Sequence, residues 1–369
     1  MYFKQLDFLR FVAVSLVIIE HWYSPVASDQ FMLGRLGVSL FFTLSGFLIT
    51  NILLGNKENY LEGKATKSSI FKTFYIRRTL RIFPIYYLLL IILYVFSLQG
   101  IREKIGWYAL YSSNIYIYLH QKWDGMIGPL WSLAVEEQFY LIWPFLILTI
   151  PKKHILRFFV ICVLAAPVLR IISVYCAEKY FQSSIPMLSM VVLTPTCLDM
   201  FAIGGILAYV LRNKEQHAYL NSLFKNSWIT LSLAIISFVM LLFKNNYFFY
   251  ALFPTVFSCF SAMLINRMVI GIKGWGQHIF ENRFFLHLGR ISYGLYLYHG
   301  PLPLLLGLLD FSLSKLHLNI SVYESLQTLP HVWKISVWVV YLIIIATLSY
   351  YLIEKPFNNL KKKFSYTSK

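Results

Sequence analysis

The chain has 369 residues, of which 58% are hydrophobic and 13% charged, with a mean hydropathy of +0.62. A soluble domain carries about 25% charged residues, so too few remain here to coat a surface facing water, and lipid must cover much of it. The formal net charge of +17 would point to nucleic acid in a soluble protein, but no RNA or DNA motif is present. Lys and Arg gathered on one side of a membrane explain it better.

A bilayer core about 30 Å thick needs roughly 20 apolar residues per helix. Apolar runs predict spans near 6–23, 36–54, 80–98, 129–150, 155–175, 193–211, 228–243, 247–266, 284–308 and 333–353. The seventh and eighth are parted only by Lys244, Asn245 and Asn246. The first holds Arg10, Glu20 and His21, which a signal-peptide core would not tolerate, and is read as retained. With the N-terminus inside, 22 of the 33 Lys and Arg fall on inner segments and seven on outer ones, while Arg10, Arg35, Arg170 and Arg290 lie in or beside helices. The expected fold is therefore all-α: a polytopic membrane helix bundle of about ten transmembrane helices with both termini cytoplasmic. The longest loops are expected over 55–79 (inner, basic), 99–128 (outer, aromatic) and 309–332 (outer). Residues 1–357 read as one membrane domain and 358–369 as a basic cytoplasmic tail, so any chemistry is expected inside the bundle.

Cys162, Cys176, Cys197 and Cys259 show no CxxC spacing, so neither a metal nor a redox site is expected. Cys176 and Cys197 could approach each other near the outer face, though small apolar residues in helices are the plainer reading.

Ionisable side chains within spans are costly and point to function. Here they are Arg10, Glu20 and His21 on the first helix, Glu136 and Glu137 on the fourth, Arg170 on the fifth, Asp199 on the sixth, and Arg290 and His299 on the ninth. His21 lies eleven residues beyond Arg10, about 16 Å along a helix. Arg10 is thus expected near the inner face and His21 in the outer half. Glu136, Asp199 and His299 are expected at a similar outer depth. Arg77, Arg78 and Arg81 gather with Arg10 at the inner face, with Arg77 and Arg81 one turn apart. Guanidinium planes chelate phosphate oxygens bidentately, although the positive-inside rule alone would also place them there.

An inner phosphate-binding layer beneath an outer acid/base layer suits a donor with a phosphorylated head and a long thin arm. Coenzyme A has that shape, and its thioester would arrive near His21. An imidazole titrates near neutrality and can take a proton from a hydroxyl and return it to a leaving thiol. A carboxylate would orient the ring, and an acyl-histidine relay is the covalent variant.

Six segments in order carry a resemblance to a known family. LDFLRFVAVSLVIIEHW (6–22) has Arg10, ten residues, then His21, and LGVSLFFTLSGFLIT (36–50) holds Phe41, Phe42, Ser45 and Gly46. FYIRRTLRIFPIYYL (74–88) has Arg77, Arg78, Arg81 and Pro84, and GPLWSLAVEEQFYLIWP (128–144) has Trp131, Ser132, Glu136 and Tyr140. LGRISYGLYLYHGPL (288–302) has Ser292, Tyr293, Tyr296 and His299, and EKPF closes at 354–357. Together they resemble the acyltransferase-3 family of integral membrane acyltransferases, which O-acetylate cell-surface sugars.

The resemblance implies an O-acetyltransferase of the bacterial inner (plasma) membrane, using cytoplasmic acetyl-CoA and a glycan or lipid-linked glycan acceptor. It implies His21 as catalytic residue, Glu136 as its carboxylate partner, and Arg10, Arg77, Arg78 and Arg81 as donor-holding groups. Trp131, Ser132, Tyr140 and His299 would line the acceptor path or serve packing. The aromatics of the 99–128 loop suit either sugar faces or an interfacial belt. Two departures stand out. Cys197 occupies a position before Asp199 where many relatives have Arg, which weakens a role for that acid. Many relatives also append an extracytoplasmic SGNH-type hydrolase domain, so here transfer is expected to finish within the membrane domain. O-antigen, capsule, exopolysaccharide, peptidoglycan and small glycosides all remain open as acceptors.

A transporter or flippase is the alternative, since polar groups at mid-depth also mark translocation paths. It would bring inverted repeats and Gly/Pro-broken helices in matching halves, and neither is read in the sequence. A multi-spanning glycosyltransferase would want an acidic pair in the outer loop after the first helix, where only Asp29 stands.

Overall fold

The computed structural model describes residues 2–23, 32–181, 186–242, 247–315 and 321–366. Asp29, the Lys244–Asn246 junction and Lys369 lie outside the described residues. The fold is an all-helical membrane bundle with no strand among the described residues. Its main helices are α1 (Leu6–Tyr23), α2 (Leu33–Leu61), α3 (Lys67–Val95), α4 (Trp131–Thr149), α5 (Lys152–Phe181) and α6 (Leu198–Arg212). They continue with α7 (Ser227–Leu242), α8 (Tyr247–Ile270), α9 (Arg283–Arg290), α10 (Ser292–His299), α11 (Leu302–Lys315) and α12 (His331–Ser349). Six described helices are long and apolar enough to cross a bilayer, or seven if Ala218–Lys225 and α7, which meet at 62°, form one span. Outside that group fall α1 with Asp7, Arg10 and Glu20, α4 with Glu136 and Glu137, and the interrupted α9–α11 segment. These are the helices that carry most of the candidate site.

Three local departures from the apolar-run reading matter. The inner loop expected over 55–79 is mostly helix. The α2 helix runs on to Leu61 and stops at Gly63, whose φ of +73° suits a residue without a Cβ. Helix α3 then starts at Lys67, capped reciprocally by Thr66 and Ser69. Lys and Arg are good helix formers, so polar helix ends escape a search for apolar runs. As a result Arg77, Arg78 and Arg81 project from the body of a helix. The second departure is the ninth expected span, which breaks after Arg290 and again at Gly300–Pro301. A Cβ on Gly300 would overlap the Met126 carbonyl. A Gly/Pro break thus interrupts this one segment, whereas a transporter would bring such breaks in matching halves. The third is a π-helical turn, Tyr350–Glu354, at the C-terminal end of α12, a form common at functional sites.

The bundle is built on a close α2–α6 crossing, with α1 packed on the other side of α2 and α9 against α1. A Cβ on Gly46 would overlap the Phe201 carbonyl, and one on Gly204 the Thr43 carbonyl. Small residues let membrane helices approach backbone to backbone. All four cysteines are free.

Arg170 and Asp199 form a fully buried ion pair at 2.6 Å that ties α5 to α6. Arg170 also donates to the Ala251 carbonyl at 2.8 Å, and Thr255 donates to Asp199, bringing in α8. This acid does not join an outer acid/base layer. Glu20 accepts from the Gly34 amide at 2.6 Å, in the first turn of α2, where a carboxylate offsets the helix dipole.

Candidate active site

A cavity with about 890 Å³ of empty space, part of it open to solvent, lies between α1, α2, α3, α4 and α10. Its lining includes Arg10, Arg78, Arg81, Ser132, Glu136 and Tyr140 from the residues singled out in the sequence. It also includes Ser45, Glu137, Tyr293 and Tyr296. A second space of about 1030 Å³ shares Arg10, Arg81 and Tyr293 with the first and adds Asp7, Arg290, Glu354 and Asn358. The second space is a vestibule at the end of the bundle where α1 begins.

The arginines differ in what they hold. Arg10 pairs with Asp7, which is 2% exposed and also receives the Tyr2 hydroxyl. Arg290 approaches the same carboxylate at 3.8 Å. Arg78 stacks over the Tyr140 ring, 5.0 Å from its centroid, and over Phe74 at 5.6 Å. Among the described residues neither Arg78 nor Arg81 has a hydrogen bond or ion pair. Two guanidinium groups, Arg78 half-buried and Arg81 exposed, thus enter the cavity unpaired and free to take an anion. Arg77 turns elsewhere: it donates to the Lys361 carbonyl at 3.1 Å and the Phe364 carbonyl at 2.8 Å.

Glu136 accepts from both Ser45 and Tyr140, whose hydroxyls are 3.2 Å apart. Among the described residues no hydrogen bond or ring contact joins it to His21. Trp131 is 8% exposed and packs edge-on against Phe42, behind the cavity wall.

The end of the cavity away from the vestibule is closed by hydroxyls. Ser132 and Tyr296 lie in hydrogen-bond contact, and each is within reach of the Pro129 carbonyl, at 3.2 and 3.1 Å, so that with one proton apiece one of them donates to the carbonyl and the other to its neighbour. Beyond them the Tyr296 ring lies 5.3 Å from that of His299, which lies 5.0 Å from that of His21. His21 is exposed and stacks near Trp123 at 6.2 Å. Its Nδ1 is 2.8 Å from the Val17 carbonyl. A carbonyl only accepts, so this contact puts the proton on Nδ1 and leaves Nε2 as a base. His299 is fully buried, with Nδ1 at 2.5 Å from the Tyr296 carbonyl and Nε2 without a partner.

The two histidines therefore come together as the sequence suggested, whereas Glu136 sits with the arginines. Ser45, Tyr293 and Tyr296 are cavity groups to which the sequence assigns no role, although each stands within a motif quoted above, and Glu137 is there only as an ionisable residue of its helix. In the outer segment, Tyr108 and Tyr111 are buried, and Tyr111 stacks on Tyr86 at 4.3 Å. Those two aromatics serve packing.

The sequence model described as an acyltransferase domain matches residues 3–354. The chain belongs to the acyltransferase-3 family. It is 28% identical over 385 residues to the peptidoglycan O-acetyltransferase OatA of Listeria monocytogenes, covering 96% of this chain and 56% of that protein. It is also 28% identical over 376 residues to the putative peptidoglycan O-acetyltransferase YrhL of Bacillus subtilis, covering 96% and 55%. Putative O-acetyltransferases of Staphylococcus aureus align over 390 residues at 28% identity, covering 96% and 57%. The chain thus spans a little over half the length of the curated relatives it matches. No solved structure matches it.

Proposed function

We propose that the chain is a membrane O-acetyltransferase that moves an acetyl group from cytoplasmic acetyl-CoA to a hydroxyl of a cell-surface glycan. Peptidoglycan is the favoured acceptor, because two of the similar proteins carry it in their names. The membrane is the bacterial plasma membrane, residues 1–357 form the membrane domain, and 358–369 form a cytoplasmic tail. One observation carries this reading. Arg78 and Arg81 enter the cavity with no hydrogen bond or ion pair among the described residues, below a pair of histidines whose Nε2 atoms have no partner there.

In this reading Arg78 and Arg81 hold the donor's phosphates with Arg10, part of whose charge Asp7 already takes, Arg77 acts on them indirectly through the 361–366 segment it holds, and the cavity accepts the pantetheine arm. His21 Nε2 takes the proton from the acceptor hydroxyl as that oxygen attacks the thioester carbonyl. The imidazolium then returns the proton to the departing thiolate. The Val17 carbonyl, rather than a carboxylate, fixes the ring tautomer. Glu136 holds Tyr140 in place beneath Arg78 and so acts at the donor end of the cavity. Ser132, His299 and Trp131 bound the acceptor side. Because Ser132 and Tyr296 stand between the cavity and the histidines, their contact must open for the thioester to reach His21. The alternative at His21, an acyl-imidazole intermediate, uses the same geometry.

The test is mass spectrometry of surface glycans from cells with and without the gene. The expected result is an acetyl increment on the glycan that disappears on deletion and returns on complementation. Identical acetylation in both strains would overturn the proposal.

A further inference from the structure

The C-terminal residues are held rather than trailing. Besides the two Arg77 contacts, the Thr73 hydroxyl donates to the Ser365 carbonyl at 3.2 Å, and the Tyr366 ring sits 5.5 Å from the Arg77 guanidinium. Tyr366 also packs against the small apolar cluster of Ala65, Ile70 and Leu148. Side chains of α3 thus strap 361–366 across the inner end of the bundle.

The strap sets the position of one lysine. Lys361 is half-buried, and its ammonium donates to the side chain of Asn358, which lines the vestibule with Arg10 and Arg81. The charged groups around it are Arg77, Arg78 and Arg81 from α3 and Glu354 from its own segment. Three cations against one anion is an arrangement that repels itself. Lys362 and Lys363, by contrast, are exposed. A merely solvated basic tail has no reason to bring only its first lysine to this spot.

We propose that the C-terminal tail, strapped to α3 by Arg77, supplies Lys361 as a further cation for the phosphate groups of the acyl donor. The proposal rests on the donor reading above. In it Arg77 is a positioning residue, acting through the tail rather than on the donor. The chemical need is plain: coenzyme A carries a diphosphate and a further phosphate, while Arg10 is already paired with Asp7. Arg78 and Arg81 alone leave part of that charge uncompensated. A lysine ammonium, compact and reorientable, suits a phosphate approached from one side.

The experiment is a titration of the purified full-length protein in detergent with coenzyme A, at low and moderate salt. Lys361→Gln should bind about ten-fold more weakly at low salt and show a shallower salt dependence. Lys361→Arg, which keeps the charge, should restore both, and Lys362→Gln/Lys363→Gln should match wild type. Equal affinity and salt dependence in wild type and Lys361→Gln would overturn the proposal, as would a loss that Lys361→Arg fails to restore. No coenzyme A binding by wild type would instead remove the donor reading itself. A parallel arm uses vesicles containing phosphatidylglycerol. If Lys361→Gln weakens only the response to that lipid, Lys361 serves headgroups and the proposal fails.

Discussion

Arg170 and Arg78 are both guanidinium groups inside one membrane bundle, yet their surroundings are opposite. Arg170 is fully buried against Asp199, Thr255 and a backbone carbonyl, across three helices. Arg78 touches two aromatic faces and otherwise looks into a cavity. The same division separates Glu20, spent on a helix amide, from His21 beside it, whose Nε2 is left free. An ionisable residue in a span is therefore a starting point only. What distinguishes a site group from a strut is whether the protein itself has already satisfied it.

The sharpest way to break this division is His21→Ala. Loss of a general base costs about a hundred- to ten-thousand-fold in rate, so glycan acetylation in cells should vanish, with protein abundance in the membrane unchanged. If the variant instead disappears from the membrane fraction, His21 belongs with the struts. Asp199→Ala probes the opposite class. It strands the Arg170 charge, at a cost of about 3–5 kcal/mol, and thermal unfolding in detergent should occur far below wild type. An unchanged melting temperature would show that the pair is not holding α5, α6 and α8 together. Arg78→Ala should leave the melting temperature close to wild type and weaken coenzyme A binding about ten- to a hundred-fold. The smallest effect is expected of Tyr140→Phe, which removes one of two donors to Glu136. About 1 kcal/mol corresponds to roughly a five-fold slower transfer, read from initial rates, and no change would detach Glu136 from the donor end.

Much of this was legible in the chain itself. Hydropathy and the placement of Lys and Arg gave the membrane class, and the eleven-residue step from Arg10 to His21 separated two levels on one helix. The basic ends of α2 and α3 escape any count of apolar runs, although Thr66 and Ser69 form a start signal visible in the sequence. The Gly300–Pro301 break is likewise visible as a Gly-Pro pair within an apolar run. What sequence could not settle was partnership. Nothing in the spacing tells that Asp199 answers Arg170, that Glu136 binds Ser45 and Tyr140, or that Arg77 reaches the tail, since each depends on how separate helices turn toward one another.

The central claim is that the cavity entered by Arg78 and Arg81 leads, past the Ser132–Tyr296 contact, to the two histidines. A solved structure with an unreactive acetyl-CoA analogue tests it most directly. The account predicts phosphate density against Arg78 and Arg81, with the thioester end directed at Ser132, Tyr296 and the histidine pair. Density for the analogue outside this cavity, or phosphates far from both arginines, would contradict it.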